Sequence, residues 1–253
     1  MKDNKEETAE KTLTFWEHLD ELRSVIIKAI VAIVLFSIVA FCFKDLLFDV
    51  ILAPRTDEFI SFRLMGTEPF SLHLMNTGLT EQFMIHMKTA ITVGFLLAAP
   101  YIIWLLFRYV SPALYDNERR YAATIVGSAY LMFMLGVLIT YFLVFPLTVR
   151  FLGTYQVSPV VDNMLTLQSY VDTLLMLSLL MGIVFELPVL CWILARAGFI
   201  DAAIMSRYRR HVIVGILIVA ALITPTTDIF TLFIVSLPIW LLYELSILMV
   251  RKR

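Results

Sequence analysis

Six apolar stretches, each holding at most one charged residue, run along this chain: Val25–Phe43, Thr89–Phe107, Tyr121–Val149, Thr173–Ala195, Val212–Thr227 and Ile229–Val250. A helix rises about 1.5 Å per residue, so the longer stretches suffice to cross roughly 30 Å of hydrocarbon. The pattern therefore predicts an all-α integral membrane protein with six transmembrane helices. The fifth stretch is short and is separated from the sixth only by Thr224–Asp228. It either sits in locally thinned bilayer or forms a re-entrant pair with the sixth, and both arrangements leave the two termini on one side. Pro100, Pro146, Pro188 and Pro238 lie inside or at the ends of apolar stretches, where each frees a backbone carbonyl and bends its helix. Kinked helices of this kind predict a concave bundle.

The polar segments complete the layout. Residues 1–13 read as a solvated tail, and Thr14-Phe-Trp-Glu17 matches a capping box. Phe15, Leu19 and Leu22 fall on one helical face, with Glu17, Asp20, Glu21 and Ser24 on the other, which predicts a short helix lying on the membrane surface. The division expected is a tail and surface helix over 1–24, one membrane domain over 25–250 and a tail at 251–253. Because charged residues crowd the N-terminus and no small-residue cleavage site follows the first apolar stretch, that stretch is expected to be retained.

Composition agrees: of 253 residues 60% are hydrophobic and 16% charged, with a mean hydropathy of +0.85, which excludes a water-soluble fold. The net charge of −1 says little, because in a membrane protein the placement of charge matters more than its sum. Residues 1–28, 108–120, 196–210 and 251–253 carry 15 of the 20 Lys and Arg residues; Lys44, Arg55, Arg63, Lys88 and Arg150 are the rest. By the positive-inside rule the N-terminus, the 111–120 hinge, the 196–211 loop and the C-terminus are cytoplasmic, and 44–87 and 150–172 face outward. Cys42 and Cys191 then lie toward opposite sides and read as two buried apolar thiols, not a disulfide.

Phosphate-binding, zinc-protease and serine-hydrolase motifs are absent from the sequence, and His18, His73, His86 and His211 are too scattered for a metal site. No cofactor or metal is expected. Glu17, Asp20, Glu21, Asp116 and Glu118 collect acid on a cytoplasmic face otherwise dominated by cations. Two readings stand side by side: carboxylates that take a guanidinium bidentately, or screened surface bridges from Glu21 to Arg23 or Lys28 and from Glu118 to Arg119 or Arg120. Glu186 lies near the middle of the fourth stretch with Pro188 two residues on. A carboxylate there implies a hydrated or proton-sensitive site, or else a neutral acid bonding between helices. Asp228 is placed to cap the sixth helix.

Phe15-Trp-Glu-His-Leu-Asp-Glu-Leu-Arg23, Ala53-Pro54, Ala99-Pro100, Ser111-Pro-Ala-Leu-Tyr115 with Glu118-Arg-Arg120, Tyr141-Phe-Leu-Val-Phe-Pro-Leu147, Phe185-Glu-Leu-Pro188 and Thr224-Pro225 with Asp228 follow one another in order. Together they resemble TatC, the multi-span subunit family of the twin-arginine protein translocase, over about residues 14–250. The resemblance implies a six-helix concave receptor in the bacterial cytoplasmic (inner) membrane. It would bind signal peptides bearing paired arginines through Glu21 and Glu118, with Arg23 ordering the surface helix and Tyr109 and Tyr115 at the same site. It also implies export of folded cargo driven by the proton-motive force, small single-span partners of the TatA/TatB type and self-association, with no enzyme activity and no nucleic acid. Glu186 is expected in an intramembrane polar groove, and Pro54, Pro100, Asp228 and Thr231 in structural or partner contacts. The chain departs from the family in an apparent insertion around Glu68–Leu79, in Tyr109 where Phe is frequent, and in Leu232 where Gln is common, leaving Thr231 as the adjacent polar group. The competing reading is a proton-coupled secondary transporter with Glu186 as relay; the sequence lacks the paired internal repeats that would favour it.

Overall fold

A computed structural model describes residues 15–64, 66, 72–110, 122–155, 158, 164–224 and 228–251. Helix α1, Phe15–Cys42, contains neither glycine nor proline, so nothing interrupts its ladder between the amphipathic segment and the first span. The expected surface helix is therefore the first part of one continuous helix. At 28 residues this helix is about 42 Å long, and part of it must project beyond roughly 30 Å of hydrocarbon.

A turn at Phe43 leads into α2 (Lys44–Leu52), a 3-10 turn over Ala53–Arg55 that buries Pro54, and α3 (Ile60–Leu64). A two-residue strand β1 (Leu74–Met75) pairs in parallel with β2 (Leu165–Thr166), with Leu74 opposite Leu165. The pairing ties the connection after α1 to the one that precedes the fourth span. The remaining helices are α4 (Glu81–Val110), α5 (Ala122–Ile139), α6 (Phe145–Thr154), α7 (Leu167–Val184), α8 (Leu187–Arg196), α9 (Ala202–Arg207), α10 (Arg209–Ile223) and α11 (Ile229–Arg251).

Prolines act differently from one helix to the next. Pro100 and Pro238 lie within α4 and α11 without ending them. Between α5 and α6 the chain forms a π turn, Thr140–Val144, just before Pro146. Pro146 cannot donate to the Phe142 carbonyl four residues earlier. The Ser61 hydroxyl of α3 donates to that carbonyl instead, and Tyr141 Oη donates to the Val50 carbonyl of α2 at 2.6 Å. Phe59 packs on both Tyr141 and Phe142, with ring centroids 5.4 and 5.7 Å apart. The irregular turn is thus held by the α2–α3 connection, the pattern expected where a helix defect is over-determined by its surroundings.

Two close crossings hold the helix bundle together. α1 and α4 run antiparallel and touch at Ser37 and Gly94, where a side-chain Cβ on residue 94 would lie 2.6 Å from the Ser37 backbone nitrogen. α5 and α7 cross at Gly136 and Gly182, where an added Cβ would meet the Met181 carbonyl oxygen at 2.7 Å and the Phe133 ring at 2.8 Å respectively. Backbone contact through small residues replaces hydrophobic driving force inside lipid. The main core gathers Val144, Phe145, Tyr170, Leu174, Leu177, Met181, Phe185, Val235 and Ile239 around α7.

Among the described residues, five helical segments are long and apolar enough to cross a membrane: His18–Cys42, Glu81–Tyr109, Ala123–Thr154, Leu167–Arg196 and Ile229–Arg251. α10 has 15 residues and falls short of that length. It nevertheless packs beside α11, and Arg209 at its start bonds Glu244, about four turns into α11, at 2.8 Å. Both cysteines are free, but Cys42 is exposed and not the buried thiol expected.

Candidate functional site

At the end of the bundle where α1 begins and α4 finishes, His18 stacks on Tyr109, with ring centroids 4.4 Å apart and planes 15° from parallel. Residues three and seven positions after His18 share its helical face. They are Glu21, which is half-buried, and Val25, which is buried. Glu21 therefore lies on the side of α1 turned toward α4, one turn beyond the stack. Among the described residues it makes no hydrogen bond or ion pair. The bridges to Arg23 or Lys28 considered from the sequence are not formed, and Arg23 is exposed. Immediately before Tyr109, Arg108 lies over the Trp104 ring at 5.7 Å. Glu118 and Tyr115 lie outside the described residues, as does Thr14 of the capping box.

The structure thus joins Glu21 and Tyr109 at one end of the α1–α4 pair. It also adds His18, whose role the sequence reading did not foresee. The available signal was its spacing: His18 precedes Glu21 by three and Val25 by seven, the period of a buried helical stripe.

Glu186 is far from this end pair in the chain. It occupies the two-residue turn between α7 and α8, with φ −73° and ψ −13°, and Pro188 sits in the first turn of α8. Proline at 188 leaves the Val184 carbonyl without its donor, so the break and the acid come together for one reason. Phe185 is 2% exposed and its ring abuts Gly136, which anchors the turn from one side. Glu186 Oε1 is buried and finds no hydrogen-bond partner among the described residues. A helix-packing bond from that oxygen, one of the two sequence-level readings, is not made.

The other expected positions are structural. Asp228 caps α11, its Oδ1 accepting from the Thr231 N–H at 2.7 Å. Thr231 is fully buried within the chain, so its hydroxyl does not reach a surface open to a partner helix. Pro54 is buried in its 3-10 turn and Pro100 lies inside α4.

The order of the helices and the end-pair of α1 and α4 invite comparison with known proteins, and a family profile described as "TatC: Sec-independent protein translocase protein (TatC)" matches residues 17–238. The chain belongs to the TatC family. A Sec-independent protein translocase protein TatC from Blattabacterium sp. subsp. Periplaneta americana is 32% identical over 262 residues, covering 98% of this chain and 96% of that protein. The TatC protein of Carboxydothermus hydrogenoformans is 32% identical over 238 residues, covering 94% and 93% of the two chains. A crystal structure titled Twin Arginine Translocase Receptor TatC superposes with a TM-score of 0.79 at 32% identity, over 93% of this chain and 99% of that one. As a TatC protein the chain is a multi-pass membrane component of protein transport and not an enzyme.

Proposed function

We propose that this TatC chain is the signal-recognising core of a twin-arginine export complex, binding the paired arginines of signal peptides through Glu21 and Glu118. The observation that carries the reading is Glu21 itself. It is a half-buried carboxylate on the face of α1 shared with the His18–Tyr109 stack, with no partner among the described residues. A free carboxylate held on a rigid helix is pre-organised for a planar guanidinium, and Arg fits it bidentately where Lys does not. The crystal structure named a twin-arginine translocase receptor supports the same assignment by similarity. The decisive test is retention of a twin-arginine signal peptide by the purified protein. Retention that disappears when both arginines are replaced by lysine supports the reading, and equal retention of both peptides ends it.

In the same reading all six helices, α10 included, lie in the bacterial cytoplasmic membrane with both termini in the cytoplasm. The 15-to-5 distribution of Lys and Arg supports this orientation. In a chain stripped of Cys42 and Cys191, Met65→Cys and Val160→Cys are expected to react with an impermeant thiol reagent added to intact cells. Asn117→Cys and Ile204→Cys are expected to stay unlabelled, and the reverse pattern would invert the topology. Folded cargo then moves with the help of small single-span subunits, driven by the proton-motive force.

Glu186 serves the transport step in this reading. A buried carboxyl oxygen without a partner, in a helix break inside the membrane, is retained only where polarity has a use. Glu186→Gln keeps shape and most hydrogen-bonding capacity and is expected to export cargo. Glu186→Leu is expected to bind signal peptide normally but export about tenfold more slowly, the effect of one lost interaction of ~1.4 kcal/mol. Full export by the Leu variant would make Glu186 a packing residue only.

A further inference from the structure

At the opposite end of the bundle from His18 and Tyr109, a cavity of about 420 Å³ is lined by Lys44, Phe48, Leu52, Gln82, Phe83, His86 and Leu167. Its position follows from the chain. Lys44 comes two residues after the first membrane-crossing segment ends at Cys42, and Gln82 and His86 lie in the first two turns of the second. Lys44, Phe48 and Leu52 recur every fourth residue and so share one face of α2, while Asp45 and Asp49 are turned about 100° away from it.

The polar groups of this cavity are unspent, whereas the nearby Glu81 and Asp172 are engaged, and the exposed Asp45 and Asp49 stand on α2 off the cavity face. Lys44 is exposed and has no ion-pair partner among the described residues. His86 is 8% exposed, its ring stacked on Phe41 at 4.0 Å and edge-on to Phe48 at 5.9 Å, and its Nε2 has no hydrogen-bond partner among the described residues. Burying such a nitrogen unpaired costs free energy that a bound acceptor would recover. Glu81, next to Gln82, takes N–H donors from Thr77, Gly78 and Gln168 at 2.9, 2.7 and 3.2 Å. Asp172 is held by Lys88 at 2.9 Å. A partnerless cation, an amide and an imidazole thus adjoin four apolar side chains at the boundary of the membrane-crossing segments.

We propose that this cavity binds the phosphate headgroup of an anionic membrane phospholipid. Lys44 supplies the charge, Gln82 and His86 donate to headgroup oxygens, and Phe48, Leu52, Phe83 and Leu167 pack on the first methylenes of an acyl chain. The apolar walls favour a lipid over free phosphate, and the single unpaired cation favours a net-negative headgroup over a zwitterionic one.

The test uses the purified full chain in an uncharged detergent, with lipid retention read by native mass spectrometry and stability by thermal unfolding. Phosphatidylglycerol is expected to be retained and to raise the unfolding midpoint, with phosphatidylcholine and inorganic phosphate giving little of either. Lys44→Gln is expected to weaken phosphatidylglycerol binding about tenfold, the scale of one charge-assisted bond. His86→Phe, which keeps the ring against Phe41, should weaken it as well, while Lys44→Arg and the distant Arg63→Gln retain binding. Equal effects of phosphatidylcholine would overturn the headgroup assignment, and equal stabilisation by inorganic phosphate would overturn the lipid. Unchanged binding by Lys44→Gln, or loss in Arg63→Gln as large as in Lys44→Gln, would remove the site.

Discussion

Replacing Glu21 and Glu118 together by alanine is expected to abolish retention of a twin-arginine signal peptide while leaving the protein folded. Each charge-assisted bond to a guanidinium contributes about 1.5–3 kcal/mol, so either single variant should bind ~10- to 100-fold more weakly. Losses at two separate carboxylates add approximately, which puts the double variant at about 100- to 10,000-fold. Stability should hold, because Glu21 has no hydrogen bond or ion pair among the described residues and its removal strands no buried partner. Peptide titration of the purified variants by fluorescence anisotropy, with the twin-lysine peptide as reference, reads the loss directly. Unchanged affinity of a folded double variant would leave the end pair of α1 and α4 without its assigned ligand.

Gly94→Val is expected to be the most damaging single substitution outside that site. Its first side-chain carbon alone would lie 2.6 Å from the Ser37 backbone nitrogen and closer still to the Ser37 hydroxyl. Neither neighbour can yield: the nitrogen belongs to the α1 ladder, and the hydroxyl already donates to the Ile33 carbonyl at 2.7 Å. Relief requires α1 and α4 to separate, and forcing bulk into a packed seam costs about 1–3 kcal/mol or more. Since His18 and Tyr109 meet along the same pair of helices, peptide binding should fail together with stability. Gly127→Val and Gly215→Val are the controls, for a Cβ at either position meets nothing within 4 Å. Thermal unfolding in detergent should separate Gly94→Val from the controls by several degrees, and equal midpoints would show that the seam is plastic.

Much of the architecture is legible in the one-dimensional pattern, because in a bilayer the requirement on each segment is local. A stretch of apolar residues must satisfy its own backbone as a helix, whatever its neighbours do. That is why the five membrane-crossing helices fall on apolar stretches read from the chain, and why Asp228 was recognisable as the cap of α11. The candidate site at the end of α1 and α4 was half legible. Glu21 stands in a recognisable motif and Tyr109 two residues before another, but the His18–Tyr109 stack joins residues 91 positions apart and depends on the antiparallel pairing of α1 with α4.

What escaped the sequence depends on contacts between helices. The surface helix and first span are one helix, a continuity that the absence of glycine and proline permitted but the polar-to-apolar switch disguised. Thr231 looks like an available polar group beside Leu232, yet the packing of α11 buries it completely. Proline positions foretold helix defects without saying which kind. Pro100 is absorbed inside α4, Pro146 follows a π turn, and Pro188 coincides with a break that carries Glu186. At Pro146 the Ser61 hydroxyl of α3 meets the orphaned Phe142 carbonyl, a contact that depends on an element far away in the chain. The same holds for glycine: Gly94 and Gly127 are both single glycines within apolar helices, and only the crossing of α1 makes the first irreplaceable. The sequence by itself determined which segments are apolar enough to enter the membrane, since that follows from the hydrophobicity of each segment alone. Tertiary structure decided which polar groups among them are spent and which remain free to bind, since that depends on partners supplied by distant helices.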